Sequence, residues 1–267
     1  MSIIPGCKWI KENTTTLNRI IQDVSENKVN ASLILDKFIT WESIDFNKKR
    51  SELLDKKSNF KKIKPIINKT DDYEQFKGRK NLLPGLIKFI LVAETCLIVN
   101  HGGESVLDNS IAIHPYYGFP VIPASAIKGV TRHFCGKEFK HLSEDEILKI
   151  FGNNPGHKNA NEGSVVFLDA WPVKSDNPYE LDIFTPHYQE YYNGNDHPKD
   201  NQSPIPIPFL SVKKDIEFEF AIAPSSNCKE LEVNEFLNEV KELIIQALTT
   251  FGIGAKTGSN YGYFERR

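Results

Sequence analysis

The stretch NEFLNEVKELIIQALTTFGIGAKTGSNYGYFERR, residues 234–267, determines how the chain must fold at its end. Its first half places apolar residues at the three- and four-residue spacing of an amphipathic helix. Gly252 is typical of the residue that follows a helix, and the residues from Ser259 onward favour a short strand. The stretch therefore predicts a helix, a glycine-rich loop and a closing strand. The helix face is formed by Phe236, Leu237, Val240, Leu243, Ile244, Ala247 and Leu248.

The residues upstream of this stretch supply the other elements of the same domain. LIKFILVAETCLIVN, residues 86–100, is β-branched and partly alternating, which predicts one long strand or two short ones. Ser125 is expected to cap a helix that runs to Phe134, and Ser143 with Glu146 forms a capping box for a second helical segment. Strands are predicted at residues 163–173 and 209–224.

The resulting order of elements from residue 85 is strand, helix, strand, strand, helix, strand. This order predicts an α+β, ferredoxin-like βαββαβ domain, the topology shared with the RNA recognition motif. We expect the domain to span residues 82–267, with a long insertion at residues 174–208 that is rich in proline, asparagine and aromatic residues.

The first 81 residues predict a helical, partly basic extension of this domain. Residues 14–40 carry the spacing of an amphipathic helix. The segment from Asn47 to Lys64 holds eight lysine or arginine residues against two acidic ones, a net charge of 8 − 2 = +6. Such a run is typical of a solvated helix face, and a surface that faces RNA is the alternative.

The composition excludes several classes of protein. A formal net charge of −2 excludes a uniformly basic nucleic-acid binder and leaves room only for a local basic surface. Four widely separated cysteines without a C-x-x-C pair disfavour a zinc ribbon or a disulfide framework. No signal-peptide pattern or membrane-length apolar run is present, so we expect a soluble, cytoplasmic protein without a membrane partner.

The glycine-rich loop FGIGAKTGSNYG, residues 251–262, departs from both common nucleotide-binding motifs. In a P-loop, glycines would stand where this chain has Thr250 and Ala255. The loop also follows a helix, so it meets the negative end of the helix dipole. The dinucleotide fingerprint fails at Thr257. We therefore expect no nucleotide cofactor, and the sequence shows no standard metal-ligand spacing.

Turn geometry explains only part of the loop. Gly252 fits the position after a helix, and Gly258 and Gly262 fit a tight turn. The whole pattern, with one cation and small polar side chains between glycines, predicts backbone N–H groups that follow the phosphates of single-stranded RNA. The expected RNA-contacting residues of the loop are Gly252, Gly254, Lys256, Gly258, Ser259, Asn260 and Tyr261.

Three features together resemble the RAMP superfamily of CRISPR-associated RNA-binding proteins: YGFPVIPASAIKGVTRHF (117–134), GIGAKTGSNYGYF (252–264) and the order of elements between them. The segment TPHYQEYYNGNDHPKDNQSPIPIPFLSV (185–212) is similar to subunits of the type III-B, or Cmr, effector complexes. The resemblance covers roughly residues 82–267. Ala124 stands where the family usually has glycine, whereas four positions match the family and are expected to contact RNA: Ser125, Lys128, Gly129 and Arg132.

The resemblance implies a non-catalytic RNA-binding subunit of an antiviral ribonucleoprotein. Such a subunit caps the filament of RAMP proteins near the 3′ end of the guide RNA, and catalysis belongs to other subunits. Its implied partners are the guide RNA, with target RNA as a further candidate, the neighbouring RAMP backbone subunit and the other subunit at that end of the complex. On a helix that begins near Ser125, Lys128 and Arg132 would project from one face.

The aromatic insertion has two interpretations. Its rings could stack on bases, or they could dock a neighbouring subunit, since tyrosine is enriched at protein interfaces. We favour docking. The residues concerned are His187, Tyr188, Tyr191 and Tyr192.

Two other classes of function remain open at this point. One is a metal-independent RAMP endoribonuclease, in which His133 is the general acid or base, with His114 and Tyr261 as further candidates. The other is a free-standing RNA-binding module that acts without partner proteins.

Overall fold

The computed structural model describes residues 83–101, 111–115, 118–137, 142–153, 156, 160–174, 178–185, 188–192, 194, 197 and 207–266. The helix predicted at residues 14–40, the basic segment at 47–64 and His187 lie outside these residues. Within them, no helix has both the length and the apolar character needed to cross a bilayer.

The described elements include both strands and helices. In order they are β1 (Ile87–Ala93), α1 (Ala124–Lys137), α2 (Glu144–Phe151), β2 (Val165–Phe167), β3 (Trp171–Pro172), β4 (Tyr179–Phe184), α3 (Gln189–Tyr192), β5 (Ile207–Val212), β6 (Glu217–Pro224), α4 (Val233–Thr250), a 3-10 turn (Thr257–Ser259) and β7 (Phe264–Glu265).

The strands form two antiparallel sheets. The main sheet has the order β2-β6-β1-β7, and β3 also pairs with β6. β4 and β5 form a separate two-stranded sheet. The predicted α+β class is therefore confirmed.

Two of the predicted strands are wrong in extent. Residues 209–224 do not form one strand, because the chain turns at Asp215, which has a φ of 65°. The part before this turn belongs to β5 and the part after it to β6, in different sheets. Residues 163–173 likewise form two short strands, β2 and β3, each paired with β6.

The predicted insertion at residues 174–208 is more regular than its composition indicates. It contains β4, α3 and the first residues of β5. β4 and β5 pair over six positions, from Tyr179 with Val212 to Phe184 with Ile207. The paired strands β4 and β5 therefore form an antiparallel hairpin.

The core lies between the main sheet and the helices. α4 packs against α1 and against strands β1, β6 and β7. Phe89 stacks on Phe220 with ring centroids 5.5 Å apart, and Phe264 meets Phe220 edge-on at 5.5 Å. The predicted apolar face of α4 is confirmed, since most of its members are buried. Full burial of a valine, leucine or isoleucine on this face contributes about 1.5–3 kcal/mol by removing it from water.

The first helix begins differently from the prediction. α1 starts at Ala124, so Ser125 lies inside its first turn and the predicted cap at Ser125 is wrong. The N–H of Ala124 instead donates to the Asp169 carboxylate at 2.7 Å. Asp169 reaches this position because Ile122 and Ala170 exchange backbone hydrogen bonds of 2.9 Å.

The capping box of α2 is confirmed. The N–H of Ser143 donates to the Glu146 carboxylate at 2.7 Å, and the Ser143 hydroxyl accepts from the N–H of Glu146 at 3.3 Å. The backbone hydrogen bond to its carboxylate, and then a second one donated by the Ser143 hydroxyl at 2.8 Å, lower the pKa of Glu146.

Candidate nucleic-acid interface

Two buried glycines close the base of the glycine loop. Gly252 follows α4 with a φ of 69°, and Gly262 has a φ of 78°. The N–H of Ile253 donates to the carbonyl of Gly262 at 2.8 Å. A Cβ at position 262 would lie 2.0 Å from the carbonyl oxygen of Ile253, so only glycine fits there. The predicted role of Gly252 after the helix is confirmed.

A third glycine allows the loop to pack closely against the segment that follows β1. Gly254 has a φ of 94°, and a Cβ there would lie 2.3 Å from the carbonyl oxygen of Ile98. The same carbonyl accepts from the N–H of Ala255 at 2.7 Å, and the carbonyl of Cys96 accepts from the N–H of Gly262 at 2.8 Å. The fold itself therefore requires the glycines at 252, 254 and 262.

Gly258 has no such structural role. It lies in the 3-10 turn without a positive φ, and a Cβ there would meet nothing within 4 Å. Its predicted role as a turn glycine is wrong, because Lys256 and Asn260 carry the left-handed conformations on either side, with φ of 61° and 66°. We call residues 256–260 the loop tip; Gly258, Ser259 and Asn260 are exposed and Lys256 is half-buried.

The predicted row of outward N–H groups is confined to part of the loop. Seven of its amides donate to backbone carbonyls of the protein, those of residues 251, 253, 255, 259, 260, 261 and 262. The amides of buried Gly252 and of Gly254, Lys256, Thr257 and Gly258 donate to no other described residue. Backbone donors available to a ligand are therefore concentrated at and just before the loop tip.

β4 lies alongside the loop, an arrangement that the sequence did not reveal. The Tyr261 hydroxyl donates to the Asp182 carboxylate at 2.6 Å, and the Lys256 ammonium sits 3.3 Å from the centre of the Phe184 ring. Burial, and then the hydrogen bond with Asp182, raises the pKa of Tyr261. The phenol is therefore a neutral hydrogen-bond donor near neutral pH.

His101 is a second neighbour that the sequence analysis missed. Burial and, after it, the charge of Lys256 lower the pKa of His101. Its ring meets Phe209 edge-on at 6.0 Å, and Phe209 lies 6.2 Å from the Tyr261 ring. Its Nδ1 atom is buried, and none of the described residues forms a hydrogen bond with it. The available signal was its position before Gly102-Gly103, which the sequence marks only as a turn.

The predicted RNA-contacting residues of α1 lie on a helix that packs against the start of the glycine loop at Phe251. Lys128 and Arg132 are one turn apart on the helix, as expected, with Lys128 half-buried and Arg132 exposed. Ser125 and Gly129 are also exposed, and a Cβ at 129 would meet nothing within 4 Å. Contacts between described residues join α1 to the loop at Phe251, and none joins Lys128 or Arg132 to Lys256.

The candidates for catalysis have separate partners. His133 packs against Phe251 with ring centroids 5.6 Å apart, and His114 packs against Phe119 at 4.9 Å. Burial lowers the pKa of His114. Tyr261 is bound to Asp182. Among the described residues, no group of three or more His, Cys, Asp or Glu side chains could hold a metal ion.

The tyrosines of the insertion form an exposed aromatic surface. Tyr191 is 51% exposed and Tyr192 is 69% exposed, with ring centroids 5.8 Å apart. Both lie on α3, which begins after the half-buried Tyr188. Contiguous exposed apolar surface is a feature of protein interaction sites.

Comparison with known proteins gives the class of protein. Residues 90–265 match the family model of the RAMP superfamily, which is well over half of the chain. The chain belongs to the RAMP superfamily, and the predicted resemblance is confirmed.

Individual proteins similar to this chain give a more specific comparison than the family model. The chain is 32% identical over 253 residues to the CRISPR system Cmr subunit Cmr6 of Pyrococcus furiosus, covering 72% of this chain and 70% of that protein. It is 28% identical over 232 residues to Cmr6 of Saccharolobus solfataricus, covering 81% of this chain and 74% of that protein. A chain in the cryo-EM structure of the type III-B Cmr-beta bound to cognate target RNA superposes with a TM-score of 0.60 at 23% identity, covering 99% and 91% of the two chains. That likeness concerns the fold.

Proposed function

We propose that this chain is a non-catalytic RNA-binding subunit of a type III-B CRISPR effector complex. It caps the RAMP filament near the 3′ end of the guide RNA and contacts the neighbouring RAMP backbone subunit and the other subunit at that end. The two similar Cmr6 proteins support membership of such a complex. Contact with target RNA is a further part of the proposal.

The sheet supports a ferredoxin-like RAMP domain. β1, β2, β6 and β7 alternate with α1 and α4 in the order of a βαββαβ unit, and each helix connects two strands that have a third strand between them. This arrangement places the loop after α4 at one end of the sheet, beside the residues that follow β1.

The loop tip is the observation that carries the proposal. It combines exposed Gly258, Ser259 and Asn260 with the ammonium group of Lys256 and with amides that have no acceptor among the described residues. Successive backbone N–H groups beside a cation favour phosphate oxygens. Exposed donors at the tip of a loop suit an extended chain of phosphates better than a single nucleotide.

The proposed absence of catalysis has its own support. Cleavage at a 2′-hydroxyl needs a base and an acid that reach the same phosphate. His133 and His114 pack on different rings, and the Tyr261 hydroxyl is committed to Asp182. Defined products from repeat RNA in EDTA, lost on His133→Ala, would contradict the proposal and favour the endoribonuclease.

The experiment that tests RNA binding is charge reversal at Lys128 and Lys256. We expect Lys128→Glu with Lys256→Glu to weaken guide-RNA retention at physiological salt. The slope of log affinity against log salt should also fall by about 0.7 for each lost phosphate contact.

A matched control uses two exposed lysines outside the proposed site, Lys174→Glu with Lys229→Glu, which change the net charge equally. Lys229 precedes α4, whose 18 residues separate it from the loop by about 27 Å. Equal losses in the two double variants would indicate a general charge effect and would contradict a site at the loop.

A further inference from the structure

Three alternate side chains of β4 contact either the glycine loop or the segment after β1 against which the loop packs. Side chains at every second position of a strand share a face. Glu180 accepts a hydrogen bond from the Cys96 thiol at 2.7 Å, Asp182 accepts from Tyr261 at 2.6 Å, and Phe184 lies under the ammonium of Lys256. One face of β4 thus follows the loop from its base to its tip.

The first two contacts are suited to a fixed arrangement. Burial and the Glu180 carboxylate raise the pKa of Cys96 to about 11, so the thiol stays protonated and continues to donate. The raised pKa of Tyr261 has the same effect on its phenol. Hydrogen bonds to carboxylates are among the stronger ones in proteins.

The third contact fixes the cation itself. The Nζ atom of Lys256 lies 3.3 Å from the ring centre, on the face where the aromatic quadrupole attracts a positive charge. A free lysine loses the freedom of four rotatable bonds when it engages a phosphate, whereas a lysine already held in place loses less. Phe184 is 46% exposed, so the ring holds the ammonium at the surface rather than burying it.

We propose that β4 is the positioning strand of the RNA-binding loop, with Phe184 as the residue that holds Lys256 ready for a phosphate. Phe184 acts through Lys256, and Asp182 acts through Tyr261 by fixing the residues that follow the loop tip. The inference rests on the proposed RNA binding at this loop and adds the insertion hairpin to the site.

A double-mutant cycle on the full chain tests it. The affinity for a labelled single-stranded RNA oligonucleotide is measured for the wild type, Phe184→Leu, Lys256→Gln and the double variant, at one salt concentration. We expect Phe184→Leu to weaken binding about two- to five-fold in the wild-type background. It should have no effect in the Lys256→Gln background, and Phe184→Tyr should bind as the wild type does.

The other outcomes separate the two proposals. If Phe184→Leu weakens binding equally in both backgrounds, the ring contacts RNA itself and the positioning role is overturned. If Lys256→Gln weakens binding but Phe184→Leu does not, the positioning role also fails while RNA binding at the loop stands. If Lys256→Gln has no effect, both the loop site and the inference fail.

A second pair of variants examines the other half of the strand. Asp182→Ala should weaken RNA binding in the wild type and add nothing to Tyr261→Phe, because both remove the same hydrogen bond. Asp182→Asn retains an oxygen acceptor and should recover most of the affinity. The role of Asp182 would be overturned if the loss of RNA affinity followed the fall in unfolding temperature across these variants and Asp182→Asn recovered no affinity.

Discussion

The four glycines of the loop have unequal roles, although they look alike in the sequence. Gly262 is enclosed, since a Cβ there would come within 2.0 Å of the Ile253 carbonyl oxygen at a φ of 78°. Gly258 faces open space. A sequence can show a glycine-rich segment, but it cannot show which carbonyl lies over each glycine, because Ile98 meets Gly254 across more than 150 positions of chain.

We predict opposite results for alanine at these two positions. Gly262→Ala should lower the free energy of unfolding by about 1–3 kcal/mol, from left-handed strain and displacement of the Ile253 carbonyl. Gly258→Ala should change it by less than about 0.5 kcal/mol. Urea unfolding followed by circular dichroism measures both values. A large loss of stability in Gly258→Ala would show that the turn needs that glycine after all.

The exposed position at 258 also permits a test of RNA contact that leaves the fold intact. Gly258→Glu places a negative charge beside Lys256 and should weaken RNA binding, by about tenfold for one lost phosphate contact with added repulsion. Gly258→Ser adds a side chain without charge and serves as the control. If the two variants bind RNA equally, the loop tip does not face phosphates.

At the scale of elements, α1 depends on a residue far away in the sequence. Its first N–H donates to Asp169, 45 positions later, and Ser125 does not act as the cap. We predict that Asp169→Ala lowers the free energy of unfolding by about 1–2 kcal/mol, whereas Ser125→Ala changes it little. Thermal unfolding of the two variants distinguishes them. A larger loss of stability in Ser125→Ala than in Asp169→Ala would show that Ser125 is the cap after all.

Local signals predicted the elements that depend on local contacts. The capping box of α2 needs only Ser143 and Glu146, three residues apart, and the face of α4 needs only its own periodicity. The cap of α1 and the division of residues 209–224 depend on pairing between distant segments, such as Ile122 with Ala170 and Leu97 with Val212. No pattern within a single window of sequence encodes those partners.

The same distinction holds for the candidate site. The sequence predicted Lys256 and the loop tip because glycines and a cation occur together in one stretch. It did not predict Phe184 or Asp182, because β4 meets the loop only in the folded molecule, and the composition of the insertion indicated an irregular excursion. His101 was missed for the same reason.

At the scale of the whole molecule, two separate surfaces have different proposed functions. The loop tip is proposed to bind RNA, and the exposed tyrosines are proposed to dock a neighbouring subunit. The loop tip carries the cation and the available amides, whereas Tyr191 and Tyr192 offer exposed rings and no charge. Buried tyrosines dominate the energy of many protein interfaces. The two surfaces should therefore be separable by substitution.

We predict that Tyr191→Ser with Tyr192→Ser abolishes co-purification of the neighbouring subunits while the isolated chain keeps its RNA affinity and its unfolding temperature. The reason is that exposed side chains contribute little to folding, whereas a docked tyrosine pair contributes several kcal/mol, typically about 2 kcal/mol or more for each ring. Leu231, the most exposed large apolar residue among those described, supplies the control, and Leu231→Ser should leave assembly unchanged. Gly258→Glu should give the converse phenotype, with reduced RNA in a complex that still contains its protein partners. Loss of RNA affinity in the isolated tyrosine variant would instead mean that the rings stack on bases, and the docking surface would then have to be sought elsewhere.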